Sequence, residues 1–194
     1  MPAASAPSRL RADAAQNRML LLQAAEEVFT EHGVQAPLEL VSTRAGLGRA
    51  TLFRNFPDRQ TLVLALLERG LDTIAAEAER LHDTPDALVQ LLRFVLDRVM
   101  THAPLVEYWQ TVGRGQPEIE AAMMRLVTIF APVVQRAVAE RRCRADLVPT
   151  DILLLLKLFS ACAAPMMLPL APFARIWGFA MDIVQPATPR PRKP

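Results

Sequence analysis

Apolar residues recur at every third or fourth position along most of this chain, the spacing that gives a helix one apolar face. Leu21, Ala24, Ala25, Val28 and Phe29 form the first stripe, and Gly33 is placed to end it in a left-handed conformation. Two short helical segments follow, Leu38 to Ala45 and Arg49 to Phe56, joined by Gly46-Leu47-Gly48. Pro57 disfavours helical geometry in the residue before it and so stops the second. Asp58 is expected to cap the next helix, whose stripe of Leu62, Ala65 and Leu66 continues toward Leu81. Thr84-Pro85-Asp86 reads as a start, with a cap, a proline at the first position and an acid in the first turn. It precedes the stripe Leu88, Leu91, Leu92, Val95, Leu96 and Val99. Further segments run from Leu105 to Val112, from Pro117 through Ala137, from Ile152 toward Ala164, and from Phe173 to Val184. Pro132 predicts a kink in the second of these, and Thr150-Asp151 a cap for the third. Strand signals, such as β-branched alternation and Asn-Gly hairpin turns, are missing. The expected fold class is all-α.

Composition narrows the possibilities. Hydrophobic residues are 52% of the 194, enough for a sizeable core. Basic and acidic residues number 22 and 20, so the net charge of +2 by itself implies no polyanionic partner. Cys143 and Cys162 lack CxxC spacing, and His32, His82 and His102 are scattered, so no metal set and no cofactor is expected. Residues 1–17 have no apolar run of the kind a secretory signal needs, and are expected to form a mobile arm in a cytoplasmic protein. Residues 186–194 read as an extended, Pro-rich basic tail. The apolar stretch Ser160 to Met181 contains Pro165, Pro169 and Pro172, which makes it a poor membrane span. A helix end, a loop and a further helix are expected there, with no membrane partner.

The stretch LELVSTRAGLGRATLFRNF, residues 38–56, carries the sharpest signal. Two helices of about two turns around a glycine-bearing link form a helix-turn-helix, whose second helix enters the DNA major groove. Leu38, Val41 and Ala45 give the first helix an apolar face, Leu47 fills the corner, and Leu52 and Phe56 face inward from the second. Gly46 supplies the left-handed backbone of the turn. Arg49, Ala50, Thr51, Phe53 and Asn55 then fall on the outer side. From Arg44 to Arg59 there are four arginines (Arg44, Arg49, Arg54, Arg59) and one acid, Asp58, a local balance of 4 − 1 = +3. Such a cluster also occurs as plain solvated decoration; on a glycine-turned helix pair it suits phosphate contact.

Residues 18–69 resemble the DNA-binding domain of TetR-family transcriptional regulators. RMLLLQAAEEVFTEHG resembles the family's first helix, AGLGRATLFRNFPDRQTLVLALL its turn, recognition helix and fourth helix, and APLELVSTRAG a subset of its second helices. The resemblance implies a three-helix DNA-binding domain at 18–57, then a helical domain at 58–185 for effector binding and dimerisation. Thr51 and Arg59 match positions that usually touch phosphates; Arg49, Ala50 and Asn55 match positions that face bases or backbone. Phe53 stands where a phosphate-binding tyrosine is usual, Gly48 where a capping serine is common, and Glu39 near the expected path of the phosphates.

The resemblance further implies a small-molecule effector. Candidate lining residues are Phe94, Met100, Tyr108, Trp109, Met123, Met124 and Phe130, which combine apolar bulk with polar tips or adaptable thioethers. The same residues at helical spacing equally suit an ordinary core. Glu107 and Arg114 flank the aromatic segment. The last two helices are apolar on more than one side, so Leu153, Leu156, Phe159, Trp177, Phe179 and Met181 are expected either at a two-fold homodimer interface or at the centre of the monomer. A dimer would set two reading helices on a palindromic operator of double-stranded DNA. Cys143, among Arg141, Arg142 and Arg144, offers a redox sensor or an inert thiol; Cys162 reads as a buried small hydrophobe. The expected function is a ligand-responsive repressor. The alternative is a helical ligand-binding or interaction protein without DNA recognition. No nucleophile elbow, phosphate-cradling loop or paired carboxylates in a recognisable context point to an enzyme.

Overall fold

The computed structural model describes residues 6–112, 115–163 and 173–186. Nine helices are found among them and no strand: α1 (Ala6–His32), α2 (Leu38–Arg44), α3 (Arg49–Asn55), α4 (Arg59–Arg80), α5 (Ala87–Thr101), α6 (Ala103–Val112), α7 (Pro117–Ala139), α8 (Pro149–Ala163) and α9 (Phe173–Val184). The chain divides into two compact units, residues 1–69 and 70–194, and the division falls within α4.

In the first unit α1, α2 and α3 pack against one another. The stripe Leu21, Ala24, Ala25, Val28 and Phe29 is buried, as are Val41, Leu52, Phe56, Leu62 and Leu66. Gly33 ends α1 at φ +79°, its N–H donating to the Phe29 carbonyl at 3.0 Å. Residues 6–17, expected in a mobile arm, differ from Ala6 onward: they are the opening turns of α1. Residues 11–16 are exposed, and the alanines of this segment favour helix.

Gly46 closes α2 as expected, at φ +67°. Its N–H donates to the Thr43 carbonyl (3.1 Å) and the next N–H, of Leu47, to Ser42 (2.9 Å), which satisfies two carbonyls that a helix end leaves open. Leu47 is only half-buried, and Val41 is the fully buried residue of α2. Asp58 caps α4: the Thr61 N–H donates to its carboxylate at 2.7 Å.

In the second unit α5 packs against α6, α7, α8 and α9, and α7 also lies on α8. Leu91, Leu92, Leu96, Phe130, Val134 and Ile152 are among the side chains that fill its core. Two helix starts differ from expectation. α5 begins at Ala87, not at Thr84-Pro85, and Asp86 makes no side-chain cap; its carboxylate lies 3.5 Å from Arg142 instead. α8 begins at Pro149, and Asp151 reaches back to accept from the Val148 N–H at 3.0 Å. Proline suits a first helical position, where its missing N–H costs nothing. The helix α7 runs through Pro132 as one element and ends in the left-handed residue Arg141, φ 58°. Among the described residues α7 is also long and apolar enough to cross a membrane. It packs on α5 and α8, with Ala122, Leu126, Phe130, Val133, Val134 and Ala137 buried. Residues 164–172 of the apolar stretch and residues 187–194 of the tail lie outside the described residues, as do the side chains of Arg114 and Cys162.

Candidate nucleic-acid interface

Leu52 and Phe56 anchor α3 inward, and both are fully buried. The remaining face is open: Arg49, Ala50 and Arg54 are exposed, and Thr51, Phe53 and Asn55 half-buried. The helix therefore lies at the surface with its basic side turned to solvent.

Each arginine has a defined place. Arg49 Nη2 lies 3.1 Å from Glu39 Oε1, and its guanidinium sits 5.3 Å above the Phe53 ring centroid. Arg54 Nη2 donates to Thr51 Oγ1 at 3.1 Å, and the Asn55 amide donates to the Thr51 carbonyl at 2.9 Å. Arg44 is clamped by Glu31, at 3.1 and 2.8 Å, and by Glu27 at 3.3 Å. Those bonds raise the pKa of Arg44 above its ordinary value and, through the bond to Arg44, hold Glu31 below the usual carboxylate range.

Arg59 departs from the expected phosphate contact. Its guanidinium turns inward and donates to the carbonyls of Val34 and of Ala36 (2.8 Å), stacked 5.8 Å from the Phe29 centroid. It ties the loop after α1 to the start of α4. The expected local surplus of +3 also changes. The fold brings Glu27 and Glu31 to Arg44 and Glu39 to Arg49, so with Asp58 the region holds four acids beside its four arginines. The window from Arg44 to Arg59 misses all three glutamates, because two come from α1 and Glu39 from the first turn of α2. The window also misses Arg18, whose Nη1 lies 3.4 Å from the Asn55 carbonyl and whose guanidinium covers the Phe56 ring at 4.4 Å.

In the second unit Phe94, Met100, Tyr108, Trp109 and Met123 are half-buried, on helices α5, α6 and α7. Two of the expected effector residues differ: Met124 is 59% exposed, pointing away from the bundle, and Phe130 is fully buried in its core. The expected dimer residues lie on α8 and α9 and differ in exposure. Leu156, Phe159 and Met181 are buried within the unit, and Leu153 and Trp177 are half-buried. The apolar side chains left open are Leu154 (58%) and Leu158 (54%) on α8, and Phe179 (51%) and Ile183 on α9. Each pair is spaced i, i+4, so each helix carries one exposed apolar stripe. Cys143 is buried, and burial pushes its thiol pKa up, which disfavours the reactive thiolate a sensor needs. Among the described residues no three His, Cys, Asp or Glu side chains group as a metal site.

Residues 21–66 match the family model of bacterial regulatory proteins, tetR family. Over 92 residues the chain is 26% identical to the HTH-type transcriptional regulator SAB2452 of Staphylococcus aureus (strain bovine RF122 / ET3-1). That match covers 47% of this chain and spans about half (50%) the length of the curated relative. The fold is similar to that of the TetR transcription regulatory protein from Mycobacterium vanbaalenii, with a TM-score of 0.64 at 27% identity, covering 82% of this chain and 99% of that one. It is also similar to the TetR-like transcriptional regulator LfrR from Mycobacterium smegmatis, solved in complex with proflavine, with a TM-score of 0.62 at 24% identity, covering 87% and 93% of the two chains.

Proposed function

Since this chain belongs to the TetR family of transcriptional regulators, by the domain at residues 21–66 and by its fold, we propose that it is a homodimeric repressor released from a palindromic operator by a small-molecule effector. Family and fold are those of regulators and not of enzymes. The observation that carries the reading is α3, anchored by Leu52 and Phe56 with Arg49, Ala50 and Arg54 outward. Thr51, Phe53, Asn55 and Arg44 complete the proposed contact surface, with Phe53 giving apolar contact to a thymine methyl. Arg44 and Arg49 exchange their carboxylate partners for phosphates or bases when DNA binds.

The exposed stripes of α8 and α9 suit a second copy, because a two-fold axis places identical apolar patches face to face. The effector is proposed to sit among Phe94, Met100, Tyr108, Trp109 and Met123; LfrR, with its bound proflavine, supports a ligand in this fold. Effector binding would act through α4, whose chain passes from one unit to the other, and could shift DNA affinity only by its differential affinity for the two arrangements. Such a regulator works in the cytoplasm, on the nucleoid.

The pairing of Arg44 with Glu27 and Glu31, and of Arg49 with Glu39, favours a second reading, a helical ligand-binding protein without DNA recognition. One experiment separates the two. Purified protein is used to select genomic DNA fragments at low salt, with Arg49→Ala as control. Discrete sites that Arg49→Ala weakens by about tenfold or more support the repressor. Absence of discrete sites, with Arg49→Ala matching the parent, supports the second reading.

A further inference from the structure

Glu39 is the only acidic residue in α2 and α3. It stands near the expected path of the phosphates, where a lone negative charge opposes binding. Its position is well defined. The Glu39 carbonyl accepts from the hydroxyls of Ser42 and Thr43 at 2.9 Å each. Its carboxylate Oε1 lies 3.1 Å from Arg49 Nη2, and the Phe53 ring, 5.3 Å from that guanidinium, limits the swing of the arginine. Both partners are open to solvent, Arg49 at 68% and Glu39 at 49%. An ion pair so exposed is weak, so each partner readily takes another.

Side by side the two groups present donors and then an acceptor. The major-groove edge of a G·C pair presents the opposite order: guanine N7 and O6 accept, and the cytosine amino group donates. Guanine O6 and that amino nitrogen are held about 2.9 Å apart by their own hydrogen bond, which matches the 3.1 Å between Oε1 and Nη2. We infer that Glu39 is a base-reading residue, which accepts from the cytosine of the base pair whose guanine Arg49 contacts. The inference rests on the reading of α3 as a DNA-binding helix. Arg49 is the first residue of α3, and the N-terminal residues of a reading helix are the ones that meet base edges. On binding, Arg49 passes from Glu39 to guanine N7 and O6, and the Glu39 carboxylate accepts from the cytosine amino group, so neither charge is left unpaired. A·T and C·G set an acceptor, thymine O4 or guanine O6, against the carboxylate, and Glu39 rejects them. T·A places an adenine amino group there but lacks guanine N7, so its rejection falls to Arg49 alone. A carboxylate in the first turn of α2 also favours that helix start; a role limited to this would affect all sequences alike.

The test uses the full chain and a library of random duplexes, from which parent, Glu39→Gln and Arg49→Ala each select. Affinities are then measured for the parental operator carrying each of the four base pairs at the position that Arg49→Ala relaxes, changed in both half-sites. Thermal unfolding checks that the variants fold like the parent. Glu39→Gln, whose amide also donates, should reduce the preference for G·C over A·T and over C·G about tenfold, and leave the preference over T·A within about twofold. Arg49→Ala should lose all three preferences. An unchanged pattern in Glu39→Gln overturns the inference, as does an equal loss of affinity for all four pairs. A second measurement replaces the cytosine by pyrimidin-2-one, which lacks the amino group. This should weaken the parent about fivefold more than it weakens Glu39→Ala; equal weakening overturns the inference. If Arg49→Ala selects the parental motif, or the parent selects none, the reading of α3 falls and the inference with it. If Arg49→Ala changes the motif and Glu39→Gln does not, the inference alone falls.

Discussion

Gly46 and Arg141 occupy the same kind of place, the left-handed residue after a helix, with different side chains. A Cβ at Gly46 would meet nothing within 4 Å, so replacing it costs conformational energy alone. Gly46→Ala should lower stability by about 1 kcal/mol, the penalty of an L-residue in that region, measured by urea unfolding. Arg141→Gly should do the reverse, raising stability by up to about 1 kcal/mol after the entropic cost of glycine. Equal stability in both variants would mean that neither turn is strained as its backbone indicates. Arg59 makes a different prediction. Because its guanidinium serves the Val34 and Ala36 carbonyls, Arg59→Gln should cost about 2 kcal/mol of stability. The salt slope of DNA binding should stay unchanged; a slope reduced without a change in stability would restore Arg59 to the phosphate contacts.

Helix α4 owes its start to Asp58, whose carboxylate accepts from the Thr61 N–H and is thereby held below the usual carboxylate range. Asp58→Ala should cost about 1 kcal/mol. A carboxyl with a lowered folded pKa contributes its stability fully above the unfolded value, about 3.9, and loses it as pH falls through the lower folded value. The parent and Asp58→Ala should therefore differ at pH 7 and converge on acidification below about pH 4. A gap that persists at pH 2 would assign the effect to something other than the charged cap. Helix α3 has no such cap, since Gly48 offers no side chain. Its position depends instead on Leu52 and Phe56, and on Arg18 against its last turn.

Two sets of leucines on α8 report on assembly and on folding separately. Leu154 and Leu158 are more than half exposed, whereas Leu155 and Leu156 are buried. Leu158→Glu should leave the monomer folded and shift sedimentation from dimer to monomer, with loss of operator binding, because each half-site alone is short. Phe179→Glu on α9 should act alike. Leu156→Glu should instead unfold the protein, by placing an unpaired charge in its core. If Leu158→Glu remained dimeric, the α8 stripe would not be the interface.

Helical periodicity, proline stops and turn glycines act between residues a few positions apart, so they could be read directly along the chain. They located α2, the Gly46 corner, α3 and the Asp58 cap, and with them the outward basic face. The partners of the arginines could not be read that way. Arg44 finds Glu31, Arg59 finds the carbonyls after α1, and Arg18 finds the end of α3, each across a stretch of intervening chain. Periodicity failed in two further places for opposite reasons. On α8 and α9 leucines and aromatics lie on nearly every side, so composition offers no contrast to tell Leu156 from Leu158. In residues 6–17 no apolar stripe exists at all, and helix there follows from continuity with the packed part of α1. Which arginines are committed internally, and which apolar faces stay exposed, were decided only when distant segments packed together.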